Sequence, residues 1–245
     1  RPDRLNAETF EMWGELGEAW QEFEHDDDAW VAILTGAGRA YCVGGDVKEM
    51  GGGKIPMTRF RREDAPLDRL SGGPRMHKVT KPVIAAVNGM CAGAGLDFVI
   101  EPDIVIASEN AEFWDPHVAV GLVSSHEQIQ LSRRIPVGLA LRMAIMGSAD
   151  RMSSQRAYQV GLVSEVVPPE QLMERAREIA QAIVEHSAPL AVRGTKQCIL
   201  DGLDMPLELA MEHGEHIRRE NIGTEDQIEG IQAFNEKRKP IWRGR

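Results

Sequence analysis

Two glycine-rich turns, each following a short apolar run, constrain this chain more than any other feature of its sequence. The first run and turn extend over residues 31–48, and the second over residues 81–97. Glycine and alanine let the main chain approach a ligand closely, and a helix that begins at such a turn leaves backbone N–H groups unpaired beside the positive end of its dipole. Two such turns can direct two N–H groups at one oxygen, which is how an oxyanion hole is built.

Short, β-branched apolar runs recur along the first two thirds of the chain, and helical patterns separate them. They are typical of strands that are buried on both faces, and they lie at residues 31–35, 83–87, 104–107 and 162–167. Residues 7–24 carry aromatic side chains and leucine at helical spacing, so we expect an amphipathic helix there, followed by an acidic loop. This alternation predicts an α/β fold with parallel strands.

The last third of the chain is helical in pattern, with prolines between the segments. Helices are expected at residues 171–185, 189–200, 206–220 and 224–237. We therefore divide the chain into a core, residues 1–186, and a C-terminal helical region, residues 187–245. Residues 51–74 are polar, rich in glycine and arginine and without periodicity, and we interpret them as a mobile segment beside the first turn.

Composition excludes several classes of function. The 245 residues carry a formal net charge of −10, which argues against a nucleic-acid surface. The longest uncharged apolar stretch is too short and too broken by glycine to span a membrane, and no signal sequence is recognisable, so a cytoplasmic location is expected. The three cysteines, Cys42, Cys91 and Cys198, are far apart, as expected for reduced, packed thiols and not for a disulfide framework or a metal site.

Nucleotide motifs do not account for the glycines. After the first turn Tyr41 stands where a dinucleotide-binding motif needs a third small residue, and after the second turn Phe98 does. The chain contains no Gly-Lys-Ser/Thr sequence, which excludes a P-loop.

Six segments together are similar to the crotonase family of enoyl-CoA hydratases and isomerases, and the resemblance covers nearly the whole chain. They are RLNA at 4–7, LTGAGRAYCVGGD at 34–46, KPVIAAVNG at 81–89, IVIASENA at 104–111, RAYQVGLV at 156–163 and AFNEKRKP at 233–240. The resemblance implies a spiral of ββα repeats with a C-terminal helical trimerisation region, and hence a homotrimer or a dimer of trimers. Similar proteins have a strand pair ahead of Arg1, so the chain is expected to begin inside its first repeat.

The resemblance also assigns the groups that would hold an acyl-CoA thioester. The backbone N–H groups of Gly45 and Ala94 match the pair that stabilises the enolate, with alanine at 94 in place of the more usual glycine. No permanently bound cofactor is implied, because coenzyme A is part of the substrate. The positions that match coenzyme contacts, the last two often reaching it from a neighbouring subunit, are Arg39, Lys48, Phe234 and Lys237.

Proton chemistry is where the chain departs from the family pattern. A typical hydratase uses two glutamates that share a water, and here Asp97 and His117 occupy those places. Aspartate withdraws the carboxylate by roughly 1 Å, and such a misplacement can cost about 100-fold in rate, so Asp97 has a second interpretation as an acid in a first helical turn. His117 can act as acid or base, because the ordinary pKa of its imidazole is about 6.5.

Three further residues are secondary candidates. Relatives that hydrolyse carbon–carbon bonds of diketones also carry histidine in place of the glutamate, and their acid matches the place of His126, with Glu127 next along and Asp115 nearby. Each of the three also has an interpretation as a loop or capping residue. His213 and His216 have helical spacing suited to a metal, but a solvated helix face is the better interpretation, and no metal site is expected.

Three functions follow from these features. The first is an acyl-CoA enzyme of the enoyl-CoA hydratase/isomerase type, in which the oxyanion hole stabilises a thioester enolate while His117 and Asp97 move protons. The second is a same-fold hydrolase of carbon–carbon bonds, a dehalogenase or a decarboxylase. The third is a non-catalytic acyl-CoA-binding protein. Acyl specificity is expected to depend on the mobile segment and on the pocket walls formed by Met50, Trp114 and Val123.

Overall fold

The structure is a computed structural model in which residues 1–51 and 72–245 are described. The strands of these residues form two four-stranded sheets, one in the order β1-β3-β5-β8 and one in the order β2-β4-β6-β7. Their bounds are β1 (Ala32–Thr35), β2 (Ala40–Cys42), β3 (Val83–Val87), β4 (Met90–Ala92), β5 (Ile104–Ser108), β6 (Glu112–Trp114), β7 (Met152–Ser153) and β8 (Glu165–Val167).

The first sheet is parallel throughout and confirms the strands predicted from apolar runs. Every residue of β3 is buried, which explains its unbroken apolar sequence. The run at 162–167 gives a strand only at its end. Leu162 and Val163 instead donate their N–H groups to the Ala157 carbonyl oxygen, at 2.9 and 3.3 Å, and so complete a turn.

The second sheet was not predicted strand by strand. Three of its strands have three residues each, too few to show an alternating pattern. β2, β4 and β6 each follow a strand of the first sheet after a short connection, at 36–39, 88–89 and 109–111. Phe113 on β6 and Leu96 beyond β4 lie in the same buried cluster as Val87 of the first sheet, so the main core lies between the sheets.

The five helices whose bounds were predicted begin and end within a few residues of the predicted positions, whereas the five helices that the structure describes between residues 47 and 159 were not predicted one by one. The first starts at Phe10 and not at residue 7, because the Thr9 hydroxyl accepts a hydrogen bond from the Met12 N–H at 3.1 Å and caps it. The helices are α1 (Phe10–His25), α2 (Val47–Gly51), α3 (Asp97–Ile100), α4 (His126–Leu131), α5 (Val137–Met146), α6 (Ser154–Gln159), α7 (Leu172–His186), α8 (Pro189–Gly202), α9 (Leu207–Glu220) and α10 (Glu225–Glu236).

Polar contacts tie α8 to α1 and to the residues that lie just before β3 and β5. Arg193 on α8 pairs with Glu24 on α1 at 2.6 Å. Lys196 reaches Asp103 at 2.8 Å and the Lys81 carbonyl oxygen at 2.9 Å. The division at residues 186 and 187 stays a prediction, although it falls just after α7 ends. Within residues 1–51 and 72–245, no helix is long and apolar enough to cross a membrane.

Candidate active site

The two glycine turns lie against each other. β2 and β4 are neighbours in a parallel pair, so the turns that follow them leave the sheet at the same edge. A Cβ added at Gly44 would lie 2.8 Å from the Ala92 carbonyl oxygen and 3.1 Å from the Ala94 nitrogen, so only glycine permits this approach. Gly44 also has a φ of +84°, a conformation that side chains disfavour. Gly45 and Ala94 are thus brought into adjacent turns.

The segment before α1 sets the direction of the Gly45 peptide. The Glu8 N–H donates to the Gly44 carbonyl oxygen at 2.9 Å, and the Asp46 N–H donates to the Glu8 carbonyl oxygen at 2.8 Å. These bonds form an isolated parallel bridge between Glu8 and Gly45. Because the C=O and N–H of a trans peptide point in opposite directions, a Gly44 carbonyl that faces Glu8 turns the Gly45 N–H away from it.

Two asparagines hold the chain that leads into the first turn. The Asn6 amide donates to the Ala40 and Tyr41 carbonyl oxygens at 2.8 and 3.1 Å. The Asn88 side chain accepts from the Gly36 N–H at 3.0 Å. Both asparagines belong to segments that carry the family resemblance, so these contacts supply a physical reason for the residue type at each place.

His117 is oriented by Asp115 on the same loop. The Nδ1 atom of the ring lies 2.6 Å from Asp115 Oδ1, and the His117 backbone N–H donates to the same oxygen at 3.0 Å. Asp115 is only 1% exposed, and its second oxygen accepts from the Gln128 amide at 2.7 Å. With Asp115 ionised, Nδ1 carries a proton, so Nε2 is the atom left for proton transfer.

The Nε2 atom of His117 faces Glu127. It lies 3.8 Å from Glu127 Oε1, while the other oxygen of Glu127 accepts from the Ser124 hydroxyl at 3.0 Å. The His117 ring also adjoins the second glycine turn, since its Cε1 atom is 3.6 Å from the position of a Cβ added at Gly93. An acid–base pair therefore stands beside the residue that precedes Ala94.

Electrostatics favour the ionised form of Asp115 and make His117 a stronger base. The hydrogen bond to Asp115 raises the pKa of His117 above its ordinary value, against the opposing effect of burial. Burial by itself would raise the pKa of Asp115, but the hydrogen bonds from His117 outweigh it and lower that pKa to about 2. A histidine with these partners can accept a proton and hold it near neutral pH.

Asp97 and His126 do not join the cluster in the same way. Asp97 is 3% exposed at the start of α3, and its charge raises the pKa of the buried Cys91 thiol, after the larger effects of burial and Glu8. His126 begins α4 and makes no side-chain hydrogen bond or ion pair within the described part of the chain. The structure places its neighbour Glu127 against His117 instead, and the catalytic roles of Asp97 and His126 stay predictions.

The residues expected to contact coenzyme A lie in two places. Arg39 and Lys48 are exposed on either side of the first turn. Phe234, 83% exposed, is on α10, and Lys237 follows that helix at a φ of +56°. Their roles stay predictions.

The expected pocket walls are only partly visible. Residues 52–71 of the segment interpreted as mobile lie outside the described residues, and so does the side chain of Met50. Trp114 is 8% exposed and stacks with Arg151, whose guanidinium carbon lies 4.1 Å from the centroid of the Trp114 ring. Val123 is 88% exposed.

One feature of this region was missed by sequence reasoning. Glu8 is 1% exposed, and its backbone bridges Gly45. Its place directly after Asn6-Ala7 was a signal, but one of its two side-chain partners, Cys42, is 34 positions away in the sequence. No group of three histidine, cysteine or acidic side chains suited to a metal occurs within residues 1–51 and 72–245. His213 pairs with Asp201 at 2.9 Å.

Known proteins match the whole chain. A family model described as enoyl-CoA hydratase/isomerase matches residues 1–245. An (E)-benzylidenesuccinyl-CoA hydratase of Thauera aromatica is 37% identical over 100% of this chain and 93% of its own length. A carnitinyl-CoA dehydratase of Proteus mirabilis is 35% identical over 99% of this chain and 92% of its own.

Solved structures agree with this result. A crystal structure of an enoyl-CoA hydratase/isomerase from Mycobacterium paratuberculosis has a TM-score of 0.92 and 48% identity, and the match covers 100% of this chain and 93% of that one. An enoyl-CoA hydratase from Bacillus anthracis has a TM-score of 0.89 and 31% identity, over 100% and 93%. The α/β fold of the crotonase type predicted from the sequence is confirmed.

Proposed function

The chain belongs to the enoyl-CoA hydratase/isomerase family and is an acyl-CoA enzyme of that type, and we propose that its reaction is the reversible addition of water to an enoyl-CoA thioester with His117 as the proton carrier. The observation that carries this proposal is the position of His117. Its ring is held by Asp115, faces Glu127 and lies beside the second glycine turn.

In the hydration direction, His117 Nε2 takes a proton from a water whose oxygen adds to the β-carbon. The electrons of the carbon–carbon double bond move to the thioester oxygen, and the N–H groups of Gly45 and Ala94 hold the resulting enolate. His117 then returns the proton to the α-carbon. Glu127 orients the water by accepting a hydrogen bond from its second O–H group, which stays intact and becomes the hydroxyl on the β-carbon. Every atom of the water is thereby added, and the charges of the protein groups are restored.

The coenzyme is held by positive charge in an otherwise acidic protein. Arg39 and Lys48 are exposed beside the first turn, where they can pair with phosphates. Phe234 and Lys237 supply further contacts to a coenzyme that is bound in the same subunit or in a neighbouring one. Asp97 remains a second candidate for proton transfer because it follows the second turn directly.

A homotrimer or dimer of trimers is proposed for the assembly. Apolar side chains that the chain leaves exposed on α9 and α10 support it, since a single chain seldom leaves so many uncovered. They include Leu207, Leu209, Met211, Ile228, Ile231 and Phe234. The cytoplasmic location expected from the sequence stays a prediction.

Carbon–carbon bond hydrolysis is the second candidate function. The pairing of His117 with an acid, Glu127, at 3.8 Å supports it, because the diketone hydrolases that the sequence also resembles use a histidine and an acid. Their matching acid position is His126 by sequence, but Glu127 is the residue that faces the ring.

Product analysis separates the two functions. Purified protein is incubated with crotonyl-CoA, benzylidenesuccinyl-CoA and a β-diketone, and products are identified by mass spectrometry. We expect a gain of one water with the coenzyme thioester intact, and about a 100- to 10,000-fold loss of that activity in His117→Gln. The matched variant His126→Gln is expected to stay within a few-fold of the unmodified chain. Cleavage of the diketone without hydration of either thioester would instead establish the second function.

A further inference from the structure

Glu8 is an acidic residue buried where the ionised form of its side chain is energetically unfavourable. It is 1% exposed and precedes the cap of α1. Its Oε2 atom accepts from the Trp13 indole N–H at 2.5 Å, and its Oε1 atom accepts from the Cys42 thiol at 3.3 Å. Neither partner carries a positive charge, and within the residues that the structure describes no cation forms an ion pair with Glu8. A buried carboxylate without a cation tends to take up a proton.

The same residue is built into the proposed oxyanion hole. Its backbone bonds to Gly44 and Asp46 bracket Gly45 and fix the direction of the Gly45 N–H. The Cys42 sulfur that donates to Glu8 also accepts from the Gly44 N–H at 3.4 Å. The carboxyl group thus lies behind the turn that holds the oxyanion donor.

Charged groups surround this carboxyl on several elements. Glu127 on α4 raises the pKa of Glu8, and His117, on the loop after β6, lowers it. The charge of Glu8 in turn raises the pKa of the Cys91 thiol on β4. Burial raises the pKa of Glu8 to about 7, although the Trp13 and Cys42 hydrogen bonds oppose that rise. Near the Glu8–Gly45 bridge, on its outer side, lie the ion pair of Arg1 with Asp46 and the side chain of Glu49 on α2, which accepts from the Phe10 N–H.

We propose that Glu8 is a positioning residue that fixes the Gly45 peptide through its backbone and, by holding a proton, keeps the space behind the oxyanion hole free of negative charge. The proposal rests on the enolate chemistry proposed above. When Glu8 loses its proton, its charge opposes the charge that develops on the thioester oxygen. In a partly shielded protein interior, such repulsion slows the reaction by about tenfold.

The test compares Glu8→Gln with the unmodified chain over pH 5.5 to 9. Glutamine matches the protonated acid in shape and stays neutral. We expect kcat of the unmodified chain to fall about tenfold as Glu8 ionises near pH 7, and that fall to be absent in Glu8→Gln while KM for the thioester is unchanged. Glu49→Gln is the matched control and should keep the fall, because Glu49 is only partly buried and its carboxylate accepts a long hydrogen bond from the Phe10 N–H, at 3.4 Å.

A second readout needs no activity. Because the pKa of Glu8 is raised from 4.5 to about 7 on folding, the folded state binds the proton more tightly, so the contribution of Glu8 to stability is fully present below pH 4.5 and is lost as the pH rises to about 7. Urea unfolding should show the unfolding equilibrium constant of the unmodified chain rising by up to about 300-fold relative to Glu8→Gln across that range.

The outcomes are distinct. A loss of both pH effects in Glu8→Gln supports the proposal, and their persistence with the same midpoint overturns it. A Glu8→Gln protein that is folded but inactive at every pH also overturns it, because a neutral side chain should suffice. If no thioester is turned over by the unmodified chain, the proposed function fails, while the unfolding measurement still decides whether Glu8 holds its proton.

Discussion

Replacing Asp115 by asparagine removes the charge that orients and stabilises protonated His117. The pKa of Asp115 falls from an ordinary 3.8 to about 2, which corresponds to about 2 kcal/mol of preference for the ionised carboxylate. Burial opposes that shift, so the gross interaction with its hydrogen-bond partners is larger. Loss of about 2 kcal/mol in the step where His117 holds a proton slows that step about 30-fold. Asp115→Asn should therefore lower kcat by about 30-fold or more.

The assay is steady-state hydration of an enoyl thioester as a function of pH. Asparagine no longer raises the pKa of His117, so the midpoint attributable to His117 should move to lower pH. The control is Asp150→Asn, which makes the same chemical change where the carboxylate pairs with exposed Arg142 at 3.0 Å. A kcat for Asp115→Asn within threefold of the unmodified value, with an unmoved midpoint, would refute the orienting role of Asp115.

Three further variants test other parts of the account. Gly44→Ala places a Cβ 3.1 Å from the Ala94 nitrogen, at a φ of +84°. The kcat should therefore fall by about 100-fold or more, as it does when one oxyanion donor is lost. A near-normal kcat in the folded variant would contradict the convergence of the two turns. Lys237→Gln should raise KM for the thioester with kcat unchanged, while the control Lys239→Gln leaves both unchanged; a fall in kcat alone contradicts the coenzyme role. Phe234→Ser removes one of the exposed apolar side chains of α10 that we propose to be covered by another subunit, so light scattering should show smaller assemblies. An unchanged mass would contradict the proposed burial of Phe234 between subunits.

Periodicity and composition predicted the first sheet and the long helices because their signals are local. β3 is five buried apolar residues, and α7 carries its apolar side chains on one face. The second sheet carries no such signal, since strands of three residues have no measurable alternation and owe their conformation to pairing with β4 and its neighbours. The prediction of a strand over all of residues 162–167 was wrong in its extent, because the first residues of that run form a tight turn after α6.

The site was predictable where chemistry depends on the backbone and less so where it depends on side-chain direction. Gly45 and Ala94 stand in motifs whose turns converge, as expected. The acid that faces His117 is Glu127 and not His126, because the phase of α4 turns Glu127 inward, where it is 7% exposed. In a helix of only six residues, the sequence pattern is too short to show which side of the helix faces the interior. Glu8 is held by Trp13, which is near in sequence, and by Cys42 through a long-range contact that no local pattern encodes.

The central claim is that His117 moves the α-proton of an enolate held by the two backbone N–H groups. Deuterium incorporation tests it most directly. A saturated acyl-CoA thioester, which has no double bond to hydrate, is incubated in D₂O with the unmodified chain or with His117→Gln, and the α-carbon is analysed by mass spectrometry. We expect the unmodified chain to incorporate deuterium at that carbon. The variant His117→Gln should still bind the thioester, but its exchange should be slower by about 100-fold or more. Equal exchange rates for the two proteins would contradict the claim.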